Sequence, residues 1–135
     1  MPIRSLKHCR EAPSAEDGTR VLVMRYWPRG VRSDRFDSWY RHLAPSVELL
    51  KAFKDLGETS PDAQAVGPGH AGWDQLMARY HAEMCDQQET LRELRERHSA
   101  GEVITLLCGC HDHARCHRTH LAGMILEPER FGLEP

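Results

Sequence analysis

The period of the hydrophobic positions changes several times along this chain, and each change marks an element. Val103 to Leu107 is an uncharged run of apolar or β-branched residues. Such a run predicts a strand buried on both faces, although a piece this short also fits a buried helical segment. Arg20 to Trp27 predicts another strand, with Val21, Val23, Arg25 and Trp27 on one face and Leu22, Met24 and Tyr26 on the other. Arg25 then shares a face with apolar neighbours, so it is expected at a sheet edge or against an anion. Trp27-Pro28-Arg29-Gly30 stops the strand, because proline donates nothing to a ladder and glycine frees the turn. Ile3 to Cys9 alternates weakly and predicts a short first strand, followed by a loop with an Asp17-Gly18 turn.

Helical spacing appears in four places. Phe36, Trp39, Tyr40 and Leu43 predict a helix capped by Ser33 or Asp34 and ended by Pro45. Leu49, Leu50 and Phe53 predict a second, capped by Ser46 and running from Val47 to about Leu56. From Gly57 to His70 the glycines and prolines predict a long surface loop. Trp73 to about Arg97 is the longest helical pattern, and its polar centre, CDQQET, marks a bend or break. A last helix starts near His117 with Leu121, Met124 and Ile125 at helical spacing. After Leu126, Pro128 and Gly132 predict an untethered tail.

Strands joined by helices in one sheet run parallel with a right-handed crossover. The expected fold is therefore α/β: a single domain over residues 1–127, with a small, mostly parallel sheet flanked by α-helices, and a tail over 128–135. The carboxyl ends of the strands then share one edge, where open α/β sheets bind ligands. That edge would bring the Trp27-Pro28-Arg29-Gly30 turn beside Cys108-Gly109-Cys110.

Composition narrows the class. The chain has 135 residues and a net charge of −2, which favours neither nucleic acid nor a membrane surface. No apolar run approaches the length of a membrane span and the start is no signal peptide, so a cytoplasmic protein is expected. Its five cysteines, an odd number without a secretory signal, point to thiols or metal ligands over a disulfide framework. Three of them, with four of the nine histidines, fall between Cys108 and His120. That density makes the loop and helix start the expected site of any chemistry.

Two kinds of chemistry suit this loop. A cysteine at a helix amino end meets unsatisfied N–H groups that favour thiolate, which suits Cys116, with Arg115 and Arg118 beside it. Cys110 and His117 are the other candidate reactive groups. Arginine spacing argues against a cysteine phosphatase, which needs five residues between Cys and Arg where this chain offers four or six. Alternatively the loop holds a metal ion, zinc or iron, through Cys108, Cys110, Cys116 and His117. The close C-x2-C spacing of structural zinc sites is absent. His8 and Cys9 would add a second pair only if the first strand ended at the same edge, and its ten-residue link to the next strand argues against a parallel arrangement. Each candidate also has a plain reading: Cys108 as a small buried hydrophobe, His117 as an inward ring bonded to a carbonyl, and Trp27 as core.

The run DGTRVLVMRYWPRGVRSDRFDSWYRHLAPSVELLKAF resembles the signature of the YeaO-like proteins within the domain of unknown function 488 (DUF488) family. WDQLMARYHAEM and EVITLLC match that pattern in order, and Cys116-His117-Arg118 is similar to a motif of the wider family. The resemblance implies a compact α/β domain and no particular activity. Members that match at the WPRG end have Asn-His where this chain has Cys116-His117, and they lack the Cys108/Cys110 pair. The resemblance therefore supports His117 more than the cysteines.

Three functions follow as expectations. The first is an enzyme-like domain whose cleft binds a small anionic or nucleotide-like ligand, with Arg25, Trp27, Arg29, Arg115 and Arg118 around it and Cys116, His117 or Cys110 as the reactive group. The second is a metal-binding or redox-sensing module built on the Cys108–His120 cluster. The third is a scaffold or assembly protein without an active site. Oligomeric state is not fixed by the sequence.

Overall fold

Four parallel strands form one sheet in the order β1-β4-β2-β3. They are β1 (Arg4–His8), β2 (Thr19–Leu22), β3 (Ser38–Trp39) and β4 (Ile104–Cys108). The structure is a computed structural model that describes residues 4–61, 65–109 and 116–134. Every residue of β4 is buried, as its uncharged run predicts, because it is flanked by a strand on each side and covered on both faces. The period-2 alternation of a strand divides the core. Val21, Val23, Ile104, Leu106 and Cys108 face the main core, while Leu22 and Leu107 face a smaller cluster with Cys9 and Phe36.

The main core lies under four helices: α1 (Val47–Thr59), α2 (Ala71–Cys85), α3 (Gln88–Ser99) and α4 (His117–Leu126). The Ser46 hydroxyl accepts from the Leu49 N–H, so α1 starts where the sequence places its cap. The long pattern from Trp73 breaks at Asp86–Gln87, inside the polar CDQQET stretch. Part of the Gly57–His70 stretch departs from the expected loop, since α1 continues to Thr59.

Three further expectations are corrected. β2 stops at Leu22, not at Trp27, because side chains take over the ladder's acceptors: the Val23 carbonyl accepts from His117 and the Met24 carbonyl from Trp39. No helix forms over residues 33–43. Two 3-10 turns, Ser33–Arg35 and Arg41–Leu43, flank β3 instead, since the Asp37 and Tyr40 N–H groups donate to the Arg20 and Leu22 carbonyls. Pairing with the sheet edge takes the hydrogen bonds a helix would use. The tail is not untethered either: Pro128–Phe131 forms a 3-10 turn and Leu133 is buried in the main core.

The last correction bears on the site. β1 runs parallel to β4 and ends at the same edge, with His8 opposite Cys108. A five-residue strand rises about 17 Å, and ten extended residues span roughly 33 Å, so the link suffices without a helix. It is pinned by Asp17, which is fully buried and pairs with the buried guanidinium of Arg20. Gly18 adopts φ +62°, and a Cβ there would lie 2.3 Å from the Val103 carbonyl oxygen, which explains the Asp-Gly pair at this turn.

Candidate functional site

The carboxyl ends of β1, β4 and β2 bring His8, Cys108 and Val23 to one edge, and the start of α4 closes over it. Parallel pairing sets this geometry: the Cys9 N–H donates to the Cys108 carbonyl at 2.9 Å and the Val23 N–H to the Leu107 carbonyl at 3.0 Å. Cys116 stands at the N-cap of α4 in extended backbone, and His117 is its first residue.

His117 is buried, and its Nε2 lies 2.7 Å from the Val23 carbonyl oxygen. A carbonyl only accepts, so Nε2 carries a proton, and in the neutral ring the lone pair is on Nδ1. Nδ1 lies 3.7 Å from the Cys116 Sγ. One ligand atom each from Cys108, Cys116 and His117 lie within 4.8 Å of one another, and all three residues are buried. No disulfide joins any pair of the described cysteines.

A buried arginine stands beside these side chains. Arg118 is 1% exposed, and its NH1 donates to the Cys108 carbonyl at 3.2 Å. Its Nε has no hydrogen-bond partner, and among the described residues no carboxylate forms an ion pair with Arg118. Tyr80 packs edge-on against the His117 ring with centroids 5.4 Å apart. Its hydroxyl donates to the Leu43 carbonyl at 2.7 Å. Burial, then the nearby Cys116 and Cys108 thiols, holds that hydroxyl protonated well above its usual range. Burial and Cys108 likewise push the Cys9 thiol up.

Two cavities open beside this cluster. The inner one, about 260 Å³, is lined by Cys108 and His117 together with Met24, Arg25 and Tyr26. The outer one, about 380 Å³, includes His8, Arg10, Tyr26, Trp27 and Arg29. Met24, Tyr26 and Gly109 line both. The expected convergence of the WPRG turn with the end of β4 is thus present.

Cys108, Cys116, His117 and Arg118 come together at the cluster, while Trp27 and Arg29 stand in the outer cavity. Arg25 borders the inner cavity but donates from Nε to the Pro45 carbonyl and from NH2 to the Ala44 carbonyl. Trp27 donates to the Val31 carbonyl and contacts Phe36 and Trp39 edge-on, so it is both wall and packing. Cys110 and Arg115 lie outside the described residues.

Sequence reasoning missed two features. Arg10 reaches the outer cavity only because β1 shares the edge. His81 and His120 meet across α2 and α4, with Nδ1 and Nε2 3.3 Å apart, in a third cavity of about 620 Å³ that also touches Cys116. No spacing in the sequence links these two histidines.

Residues 3–129 match the family model described as the active DUF488-N3 subclade. The chain belongs to the DUF488 family. It is 32% identical over 112 residues to the uncharacterized protein Rv3073c of Mycobacterium tuberculosis, covering 82% of each chain. The same values hold for the uncharacterized protein Mb3100c of Mycobacterium bovis. The uncharacterized protein YeaO of Escherichia coli is 41% identical over 49 residues, 35% of this chain and 43% of YeaO. No solved structure matches. Among the described residues of this DUF488 protein, no helix is long and apolar enough to cross a membrane.

Proposed function

We propose that this DUF488 protein is an enzyme-like domain that binds a small anionic, ring-bearing ligand at the carboxyl edge of its sheet. One observation carries the reading. Among the described residues lining the outer cavity, Arg10 and Arg29 supply cationic groups, Tyr26 and Trp27 supply flat walls, and no carboxylate is present, while the ring nitrogens of His8 are engaged by the Gly109 carbonyl and the Arg10 N–H. Guanidinium groups bind phosphate and carboxylate oxygens in pairs, and aromatic faces suit a base or ring. The inner cavity, which shares Met24, Tyr26 and Gly109 with this one, is lined by Cys108 and His117. With no metal on it, the Nδ1 lone pair of His117 accepts the Cys116 thiol proton and leaves a thiolate at an edge that also holds the buried Arg118 cation. Arg25 serves this cleft as a brace between it and the Ala44–Pro45 backbone.

Calorimetry with AMP and with inorganic phosphate tests the reading. Arg29 is exposed, so Arg29→Ala leaves the fold intact. It is expected to weaken binding by about tenfold or more, the loss of one charge-assisted contact. Unchanged affinity in Arg29→Ala and Arg10→Ala, or no binding of either probe to the unaltered protein, would overturn it.

A further inference from the structure

We infer that Cys108, Cys116 and His117 form a binding site for one zinc-like cation, held by two thiolate sulfurs and the Nδ1 of the imidazole. The ligand set itself stands apart from the anion reading; only the arrival of a fourth ligand, described below, rests on it.

Three independent features point to an ion. First, the spacing fits. Around a tetrahedral zinc with bonds of roughly 2.3 Å to sulfur and 2.0 Å to nitrogen, ligand atoms stand about 3.5–3.8 Å apart. Cys116 Sγ and His117 Nδ1 are 3.7 Å apart, and all three ligand atoms fall within 4.8 Å of one another. Second, the imidazole is already oriented. A ligating histidine ordinarily donates its other ring N–H to a carbonyl or carboxylate, which fixes tautomer and ring plane. His117 does this through Nε2 to Val23, which leaves Nδ1 turned toward the Cys116 sulfur. Third, the charges close. Two thiolates balance a divalent cation, so the filled triad is neutral and suits a buried place.

Arg118 accounts for what the fourth position takes. Among the described residues this buried cation has no carboxylate partner, which is costly, and its NH1 donates to the Cys108 carbonyl. With the triad neutral, a fourth ligand bearing one negative charge, such as hydroxide or an oxygen of an anionic ligand, would be offset by this guanidinium. Among the described residues the site offers three protein ligands, and a fourth ligand completes the tetrahedron. Both Cys108 and His117 line the inner cavity, so a ligand that enters this cavity meets the ion's ligands.

The test is a cobalt(II) titration of the full chain, reduced, stripped of metal and kept anaerobic. The expected result is saturation at one ion per chain, with thiolate-to-cobalt charge-transfer absorption, intense tetrahedral visible bands, and displacement of the cobalt by zinc. Cys108→Ser and Cys116→Ser should each cut the charge-transfer intensity and weaken binding by more than the roughly 10–100-fold typical of losing an outer-shell partner. Cys85→Ser, at the far end of α2, should behave as the unaltered protein. A spectrum without thiolate charge transfer, saturation well below one ion, or spectra unchanged in both cluster variants would overturn the inference. Should a variant fail to fold by circular dichroism, the spectrum of the unaltered protein decides alone. Phosphate binding to the metal-free protein is measured alongside. If it persists while cobalt fails to bind, the metal site falls and the anion reading stands. If cobalt binds and phosphate does not, the metal site stands and the anion reading falls.

Discussion

His117 donates its Nε2 proton to the carbonyl of Val23 at 2.7 Å, across 94 residues of sequence. This bond ends β2, anchors the first turn of α4 and aims Nδ1 at Cys116. Removing the ring leaves a buried carbonyl without a donor, which costs roughly 1–3 kcal/mol. His117→Ala should therefore lower stability in urea denaturation by at least that amount, while His117→Gln, which keeps an N–H donor, should recover part of it. Equal losses in the two variants would show that packing, not the bond, holds this junction.

The Asp17–Arg20 pair is the fold's most buried ion pair among those described, with both side chains nearly inaccessible. Its arginine also donates to the Arg35 and Glu11 carbonyls, and the Asp17 backbone carbonyl accepts from Thr105. Asp17→Asn leaves a buried guanidinium without its counter-charge, so a loss of about 3–5 kcal/mol is expected. Thermal denaturation measures it; a change under about 1 kcal/mol would show that the carbonyls alone satisfy Arg20.

Acid should weaken the packing of α2 against α4. Burial, with the His81 charge adding to it, holds His120 down at about 4, against about 6.5 in the unfolded chain. The unfolded state then binds the proton first. The stability this group contributes is present above about pH 6.5 and is lost as the pH falls through about 4. Each unit is about 1.4 kcal/mol, so the loss is at most about 3.5 kcal/mol, and solvent screening of this partly exposed ring reduces it. Denaturation midpoints between pH 7 and 4 should fall less steeply in His120→Gln than in the unaltered protein. Parallel slopes would place the acid sensitivity elsewhere.

Tyr80 gives the opposite pH dependence. Its folded-state ionisation lies well above 10, whereas the unfolded side chain loses its proton near 10. Stability is full below that point and declines as the pH rises beyond it. Tyr80→Phe should remove this alkaline component, and the loss of the bond to Leu43 should cost about 1 kcal/mol at neutral pH. An unaltered alkaline slope would show that another group governs it.

Much of the frame was legible in the sequence. β4 shows because a strand between two others, covered on both faces, has no place for a charged residue. The start of α1 shows because a serine hydroxyl meets an orphan N–H. The break between α2 and α3 shows because the apolar stripe lapses. Phe36 to Leu43 misled because its helical spacing is real, yet Phe36 joins Cys9 and Leu107 under the sheet while Leu43 joins the main core. One helix face cannot serve both. At the site, the closeness of Cys116 and His117 follows from their being neighbours, and that of Cys108 from a short strand–loop–helix connection. The Val23 contact and the arrival of His8 and Arg10 depend on strand order, which no local pattern encodes.

That strand order also sets a schedule. The chain synthesises the middle of its sheet last: β4 separates β1 from β2, and His8 and Cys108, which pair in the finished protein, are 100 residues apart (108 less 8). At ribosomal speeds of about 5–20 residues per second, the strands made first wait roughly 5–20 s for the strand that joins them. Through that interval Val21 and Leu22 have only the two-residue β3 as a sheet neighbour. A nascent chain halted before Ile104 should therefore be readily proteolysed and prone to chaperone capture, and release of the segment through Cys108 should convert it abruptly to a resistant form.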